Sequence, residues 1–368
     1  MQLVKIERET LLKPLQIVSG IAERRHALPI LSNLLLTKNG ADISFLSTNL
    51  ELQIKTFSKF GIGSHQASTT VNARKLTDII RTIPDSQEII LSLTDSRLTV
   101  QSGKSRFVLQ TLMSSEFPTI EQVKDFGVSL IVQKKAFRKL LSMVHFAMAN
   151  HDVRYYLNGM LLAINGDLLI AVATDGHRLA LSSIKIDGKF NNQEVIIPRK
   201  TILELHRLLE GNEEIIRIDI SQTQVKFTFA QIELVAKLVS GKFPDFRRVI
   251  PSGYKNTFNI CREKLKRSLQ RAAILTSDKF KGVRCIITPG HLKIISTNID
   301  QEEAQEELDI IYHGDPIDIG FNVIYLLEML SNLRVDTVQL SLSDASSSAL
   351  ITVPENDEFK YVVMPMRI

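Results

Sequence analysis

Asn158-Gly159-Met160-Leu161 leads into an apolar strand, and the chain writes that lead-in twice more, as Asn33-Leu34-Leu35-Leu36 and Gly282-Val283-Arg284-Cys285. Downstream of each copy comes a helix start: Ala73-Arg74-Lys75, Pro198-Arg199-Lys200 and Phe321-Asn322-Val323. Downstream again come Phe117-Pro118, Phe243-Pro244 and Met364-Pro365. From first copy to second the landmarks step by 125, 125 and 126 residues, and from second to third by 123, 123 and 121. Landmarks that keep register along a whole chain imply repeated domains. Three domains are therefore expected at 1–126, 127–252 and 253–368, with Gly127 and Ser252-Gly253 near the joints. Thirds of this size suit single hydrophobic cores.

Each third has the same contents. An amphipathic helix comes first, with apolar faces at Leu11, Leu12, Leu15, Val18 and Ile21, at Phe137, Leu140, Leu141, Val144 and Ala147, and at Leu265, Leu269, Ala272 and Ala273. A second helix is read at Leu76-Ile79-Ile80-Ile83, Ile202-Leu205-Leu208-Leu209 and Ile324-Leu327-Leu330. Period-two hairpins follow, turning at Asp95-Ser96, Ser221-Gln222 and Asp344-Ala345. The fold class is α+β: in every third, two helices pack on antiparallel β-sheet.

The composition, 44% hydrophobic and 23% charged, is that of an ordinary globular protein. Its longest apolar runs, such as Leu168–Ala173, are too short to cross a bilayer, so no membrane partner is expected. The start, Met1-Gln2-Leu3-Val4-Lys5, lacks the pattern of an export signal. Cys261 and Cys285 read as two buried free thiols in a reducing compartment. A cytoplasmic protein is expected.

Charge is distributed unevenly. The thirds carry 15 Lys/Arg against 12 Asp/Glu, 17 against 12, and 13 against 16. A basic front and an acidic tail on similar domains could make unlike ends attract. Bases gather on the helices. Lys134, Lys135, Arg138 and Lys139 have no acid until Asp152, and Arg262, Lys264, Lys266, Arg267 and Arg271 face only Glu263. Arg74, Lys75 and Arg81 oppose Asp78, and Arg199, Lys200 and Arg207 oppose Glu204. One such helix would be a solvated face. Four, at equivalent places in a mildly basic chain, weigh against that reading.

Motifs for chemistry fail on inspection. Ser102-Gly103-Lys104-Ser105 ends like a phosphate loop, but Leu98 stands where the first glycine belongs. Gly61-Ile62-Gly63 meets Gln66 where a dinucleotide fingerprint needs glycine, and the eight histidines show no metal-ligand spacing. Asp175-Gly176-His177-Arg178 offers acid–base parts, and an enzyme acting on nucleic acid or a phosphoester would centre there. A turn with a hydrogen-bonded histidine and a surface arginine is the plainer reading. No catalytic residue, cofactor or metal is expected.

Four stretches carry a family resemblance: Asp152–Gly159 (DVRYYLNG), Ala173–Leu179 (ATDGHRL), Phe243–Val249 (FPDFRRV) and the terminal Tyr361–Ile368 (YVVMPMRI). They closely resemble the bacterial sliding clamp, the beta subunit of DNA polymerase III, and the match runs from the first helix to the last residue. The resemblance implies three DNA-clamp domains per chain and two chains closed head to tail into a ring around double-stranded DNA. As partners it implies the replicative DNA polymerase, a clamp loader and other proteins bearing clamp-binding peptides. It also implies a nucleoid-associated location.

It places DNA-facing roles on Arg24 and Arg25, either of which could make the contact, and on Arg74, Lys75, Arg106, His151, Tyr155, Tyr156, Arg199, Lys200 and Arg207. Such bases would hold phosphates without reading sequence. It places a partner-peptide pocket at Leu157, Thr174, Gly176, His177, Arg178 and Leu179, at Pro244, Arg248, Val249 and Ser346, and at Val362, Met364, Pro365 and Met366. Adaptable Met beside rigid Pro suits a groove that accepts several peptides. For the ring junction it points to Ile274, Leu275, Glu302, Glu303, Glu306 and Glu307, meeting Lys75, Phe107 and Leu109 of the other chain.

Overall fold

Leu11, Leu12, Leu15 and Val18 are fully or almost fully withdrawn from solvent on one face of the first helix. The computed structural model describes residues 1–22, 28–211, 214–277 and 281–368. Its first third runs β1 (Gln2–Glu7), α1 (Arg8–Ser19), β2 (Asn33–Asn39), β3 (Asp42–Thr48), β4 (Leu52–Lys59) and β5 (Gln66–Asn72). It continues with α2 (Ala73–Thr82), β6 (Glu88–Thr94), β7 (Arg97–Ser102) and β8 (Ser105–Leu112). The second third holds β9 (Val128–Gln133), α3 (Lys134–Ser142), β10 (Gly159–Thr174) and β11 (Arg178–Pro198). After them come α4 (Arg199–Leu208), β12 (Ile215–Ile220), β13 (Gln224–Phe229) and β14 (Ile232–Lys237). The last third holds β15 (Asn256–Cys261), α5 (Arg262–Ile274), β16 (Gly282–Thr288), β17 (His291–Thr297), β18 (Glu303–Asp309) and β19 (Ile317–Asn322). It closes with α6 (Val323–Asn332), β20 (Thr337–Leu342), β21 (Ala349–Val353) and β22 (Asn356–Val363).

All named strand pairs are antiparallel, and the chain packs as two compact units. The first unit, Met1–Lys135 with Arg207–Leu238, is built on a 12-stranded sheet ordered β1-β6-β7-β8-β5-β2-β3-β4-β14-β13-β12-β9. The second, Ala136–His206 with Val239–Ile368, carries a six-stranded sheet, β10-β11-β22-β21-β20-β15, and a four-stranded one, β18-β17-β16-β19. Sheets therefore run through the joints between repeats. In the first unit β4 of the first third pairs with β14 of the second, Leu52↔Ala236 through Thr56↔Ile232. In the second unit β11 pairs with β22, Arg178↔Val363 through Ser182↔Phe359.

The helix starts have a local cause. Asn72 accepts a hydrogen bond from the Lys75 amide at 3.0 Å, and Asn322 accepts one from Ile324 at 2.9 Å. A side-chain oxygen at that position satisfies an amide that the first helical turn cannot. A second repeated device opens α1, α3 and α5. Their first residues, Arg8, Lys134 and Arg262, donate backbone bonds to Gln87, Glu214 and Asp336 at 2.9, 2.8 and 2.8 Å. Arg8 then reaches the carbonyls of Ile80 (3.1 Å) and Arg81 (2.8 Å) near the end of α2. Arg262 reaches Leu330 (2.9 Å) in α6 and Val335 (2.7 Å) just beyond it. A fixed cation thus meets carbonyls that a helix end leaves unpaired.

Two sequence expectations are corrected here. Cys285 is buried as expected, but Cys261 is exposed, because β15 presents alternate residues and its last one faces outward. The bases of α5 do not face Glu263 alone: Arg271 binds Glu306 of β18 (Nε–Oε1 2.7 Å), and Arg262 divides its guanidinium between Glu263 (3.2 Å) and two carbonyls. Ser102–Ser105 is the turn of the β7–β8 hairpin, with Gly103 at φ +54°.

Candidate functional site

In the second unit, β10 and β11 are joined by a tight turn at Asp175–His177. The Asp175 carboxylate accepts from the amides of His177 (2.9 Å) and Arg178 (3.0 Å) and from Arg178 Nε (3.0 Å). Thr174 Oγ1 donates to the Arg178 carbonyl at 2.6 Å and accepts from the Gly176 amide at 3.1 Å. Gly176 has φ +91°, and a Cβ there would come within 2.9 Å of Arg154 Nη2. The Asp175 carboxylate is thus occupied in folding the turn, while the His177 side chain is exposed. Arg178 is not the surface arginine expected. Its side chain is only 8% exposed, because Asp175, Glu328 and the Phe146 carbonyl supply acceptors inside the fold.

The last residues close over this turn. Leu179 pairs with Val362, the Met364 amide donates to the His177 carbonyl at 2.9 Å, and the Met366 amide donates to Gly320 at 2.8 Å. The segment after β22 is thereby bonded to the β11 end on one side and to β19 on the other. A floor of Leu179, Val362, Phe243 and Phe246 lies beneath, all buried. Around it, Met364 and Val249 are each 47% exposed, Pro365 and Met366 are half-buried, and Pro244 and Arg248 are exposed. Arg248 pairs with Asp245 at 3.0 Å. Ser346 is exposed and donates to Asp344 at 2.7 Å. Of the expected pocket residues, Leu157, Thr174, Arg178, Leu179 and Val362 are buried. Phe246, Gly320, Tyr325 and Glu328 belong to the same construction and went unread in the sequence. The i, i+3 pair Tyr325/Glu328 on α6 was the available signal.

Among the expected DNA-facing residues of the first unit, Arg24 and Arg25 lie outside the described residues. Arg74 is half-buried and donates to Ala22 at 3.2 Å, Lys75 and Arg106 are exposed, and exposed Arg207 donates to Ile17 at 3.4 Å. In the second unit Tyr155 is 57% exposed and meets Tyr156 edge to face at 5.8 Å. His151 is exposed with φ +58°, and Lys200 is exposed. Arg199 is half-buried and donates to Met148 at 3.0 Å; burial pulls its pKa below the ordinary arginine value. Asp152 beside them grips Arg154 through two bonds of 3.0 and 2.9 Å, and these hold its carboxyl down at about 2.

At the expected junction, Ile274 is 77% exposed, Leu275, Phe107 and Leu109 are half-buried, and Glu302, Glu303 and Glu307 are exposed. Glu306 points the other way, onto Arg271 and α5, because alternate residues of β18 face opposite sides. Among the described residues no three His, Cys, Asp or Glu side chains converge as metal ligands, and no helix is long and apolar enough to cross a membrane.

Three helix-pair-on-antiparallel-sheet repeats, with sheets continuous across the joints, define a clamp-fold protein. Family descriptions of the DNA polymerase III beta subunit match it in order: N-terminal domain at residues 1–121, central domain at 131–245 and C-terminal domain at 247–367. The chain is 43% identical over 366 residues to the beta sliding clamp of Pseudomonas aeruginosa, covering 99% of both. It is 41% identical over 363 residues to that of Escherichia coli, again covering 99% of both. A crystal structure of a P. aeruginosa DnaN sliding clamp bound to griselimycin superposes with TM-score 0.96 at 42% identity, and Caulobacter crescentus pol III beta with 0.92 at 34%, each over the full length of both chains. The chain belongs to the DNA polymerase III beta subunit family. It is a DNA sliding clamp, a non-catalytic processivity factor for the polymerase.

Proposed function

We propose that two copies of this chain close head to tail around duplex DNA, joined edge to edge by β8 of one and β18 of the other. The observation that carries this is the way repeats join within the chain. At each internal joint, the fourth sheet segment of one repeat (β4, or the start of β11) pairs with the last strand of the next repeat (β14 or β22). By the same rule, the fourth sheet segment of the third repeat is β18 and the last strand of the first is β8. Among the described residues β18 has a strand partner on one side only, and β8 meets β5 only at Thr111 and Leu112. Two open edges that complete each other twice give a closed two-fold assembly. Phe107 and Leu109 on β8 and Ile274 and Leu275 at the end of α5 would supply the apolar contact, and Lys75 would face the acids of β18.

Duplex DNA would then be held by Arg74, Lys75, Arg106, His151, Tyr155, Tyr156, Arg199, Lys200 and Arg207, with Arg24 or Arg25, through phosphates alone. The groove around Met364 and His177 would take short peptides of the replicative polymerase, the clamp loader and other cytoplasmic DNA-processing proteins. The domain limits 1–126, 127–252 and 253–368 are proposed with it; the matched ranges support three domains in that order, with the second joint near residue 246.

Sedimentation equilibrium tests the assembly. The wild-type chain should weigh twice its 41.5 kDa. The Ile274→Ala, Leu275→Ala double variant should weigh that of one chain, since each truncation removes about 2–5 kcal/mol if the side chain is buried in the junction. A double variant that remains dimeric would place the junction elsewhere.

A further inference from the structure

Each of the three guanidinium nitrogens of Arg178 already has a partner. Nε donates to Asp175 at 3.0 Å, Nη1 to Glu328, and Nη2 to the Phe146 carbonyl at 2.8 Å. The guanidinium carbon lies 4.3 Å from the ring centroid of Tyr325, and the side chain is 8% exposed. A group so placed serves the groove from behind its wall. Two of its acceptors belong to the central third itself. Only Glu328 comes from α6, 150 residues away in the chain, and it holds the guanidinium by charge as well as by hydrogen bond.

The turn that Arg178 closes is also the turn to which the end of the chain is tied, through the Met364 amide on the His177 carbonyl. Behind it, the Tyr361 hydroxyl of β22 donates to the Tyr325 carbonyl at 2.9 Å, and Phe146 packs on Tyr361 with ring centroids 5.9 Å apart. Removing the Glu328 charge replaces the charge-assisted bond of a buried guanidinium with a weaker neutral one. The turn then relaxes, and a ligand must reorder the wall as it binds.

We propose that Glu328 is a positioning residue for the peptide groove: through its ion pair with Arg178 it sets the spacing between the Asp175–His177 turn and the Met364 end of β22. The proposal deepens the groove reading given above and rests on it.

Griselimycin, found on the P. aeruginosa relative, is the probe, titrated calorimetrically into the full-length wild type and five variants. Met366→Ala reports on the groove itself. Glu328→Gln should bind about tenfold more weakly than wild type. Glu328→Asp should recover part of that loss, and the double Glu328→Gln, Arg178→Gln should be no weaker than Arg178→Gln alone. Sedimentation mass should not change. If Met366→Ala weakens binding while Glu328→Gln stays within about twofold of wild type, the positioning role is overturned. Fully additive losses in the double variant overturn it too, as does a lowered melting temperature with unchanged affinity. If wild type does not bind, or Met366→Ala binds normally, the groove reading falls first and takes this inference with it.

Discussion

Asp152 and Asp344 are carboxylates whose neighbours keep them ionised far into acid. The Arg154 side chain does this for Asp152, and the hydroxyls and amides of Ser346 and Ser347 do it for Asp344; both carboxyls sit at about 2 against an ordinary 3.8. A folded-state value below the unfolded one stabilises the fold above the unfolded value, and that stabilisation is lost as pH falls through the folded one. These two contributions should therefore be intact at neutral pH and vanish between about pH 4 and pH 2. Carboxyl-carbon NMR titration should give both midpoints near the lower limit; midpoints in the usual aspartate range would contradict it. The cysteines give a second prediction. Burial pushes the Cys285 thiol up to about 12, whereas Cys261 is exposed. Native protein treated with iodoacetamide near pH 8 should gain one adduct, at Cys261, and denatured protein two. Two adducts on native protein would contradict the burial. At this scale the sequence was partly legible. Asp175–Arg178 could be read as a turn because aspartate bonds its own following amides. The burial of Arg178 could not, since its charge partner Glu328 is 150 residues away.

Helices were the legible elements. The apolar spacing at Leu76, Ile80, Ile202, Leu205 and Leu269 is local, and those residues are buried where a 3.6-residue period puts them. Strand partners were less legible: nothing near Leu52 announces Ala236, nor anything near Leu179 Val362, because long-range pairing is settled by how the repeats pack. The shared role of Arg8, Lys134 and Arg262 was hidden for the same reason. Lys134 and Arg262 read as helix-surface bases, and Arg8 drew no reading, until the turn that follows the second helix comes back against them. Arg262→Ala should cost about 2–3 kcal/mol in urea unfolding, because it strips charged donors from the Leu330 and Val335 carbonyls. Arg267→Ala, whose ion pair with Glu263 is largely exposed, should cost under about 0.5 kcal/mol. Equal losses would remove the capping role.

For the whole molecule, the repeat spacing read from Asn33, Asn158 and Gly282 foretold three similar domains, and the family match reports three in that order. It did not foretell that each joint would be a continuous sheet, which is the feature behind the proposed pairing of β8 with β18. If two such joints close the assembly, its hold on DNA is topological, and the cationic residues contribute only a salt-sensitive attraction. Retention on circular DNA separates the two most directly. Loaded onto a nicked plasmid circle and washed in about 1 M salt, where phosphate contacts are screened, the protein should stay bound and leave only when the circle is linearised. Equal loss from intact and linear DNA in that wash would contradict encirclement.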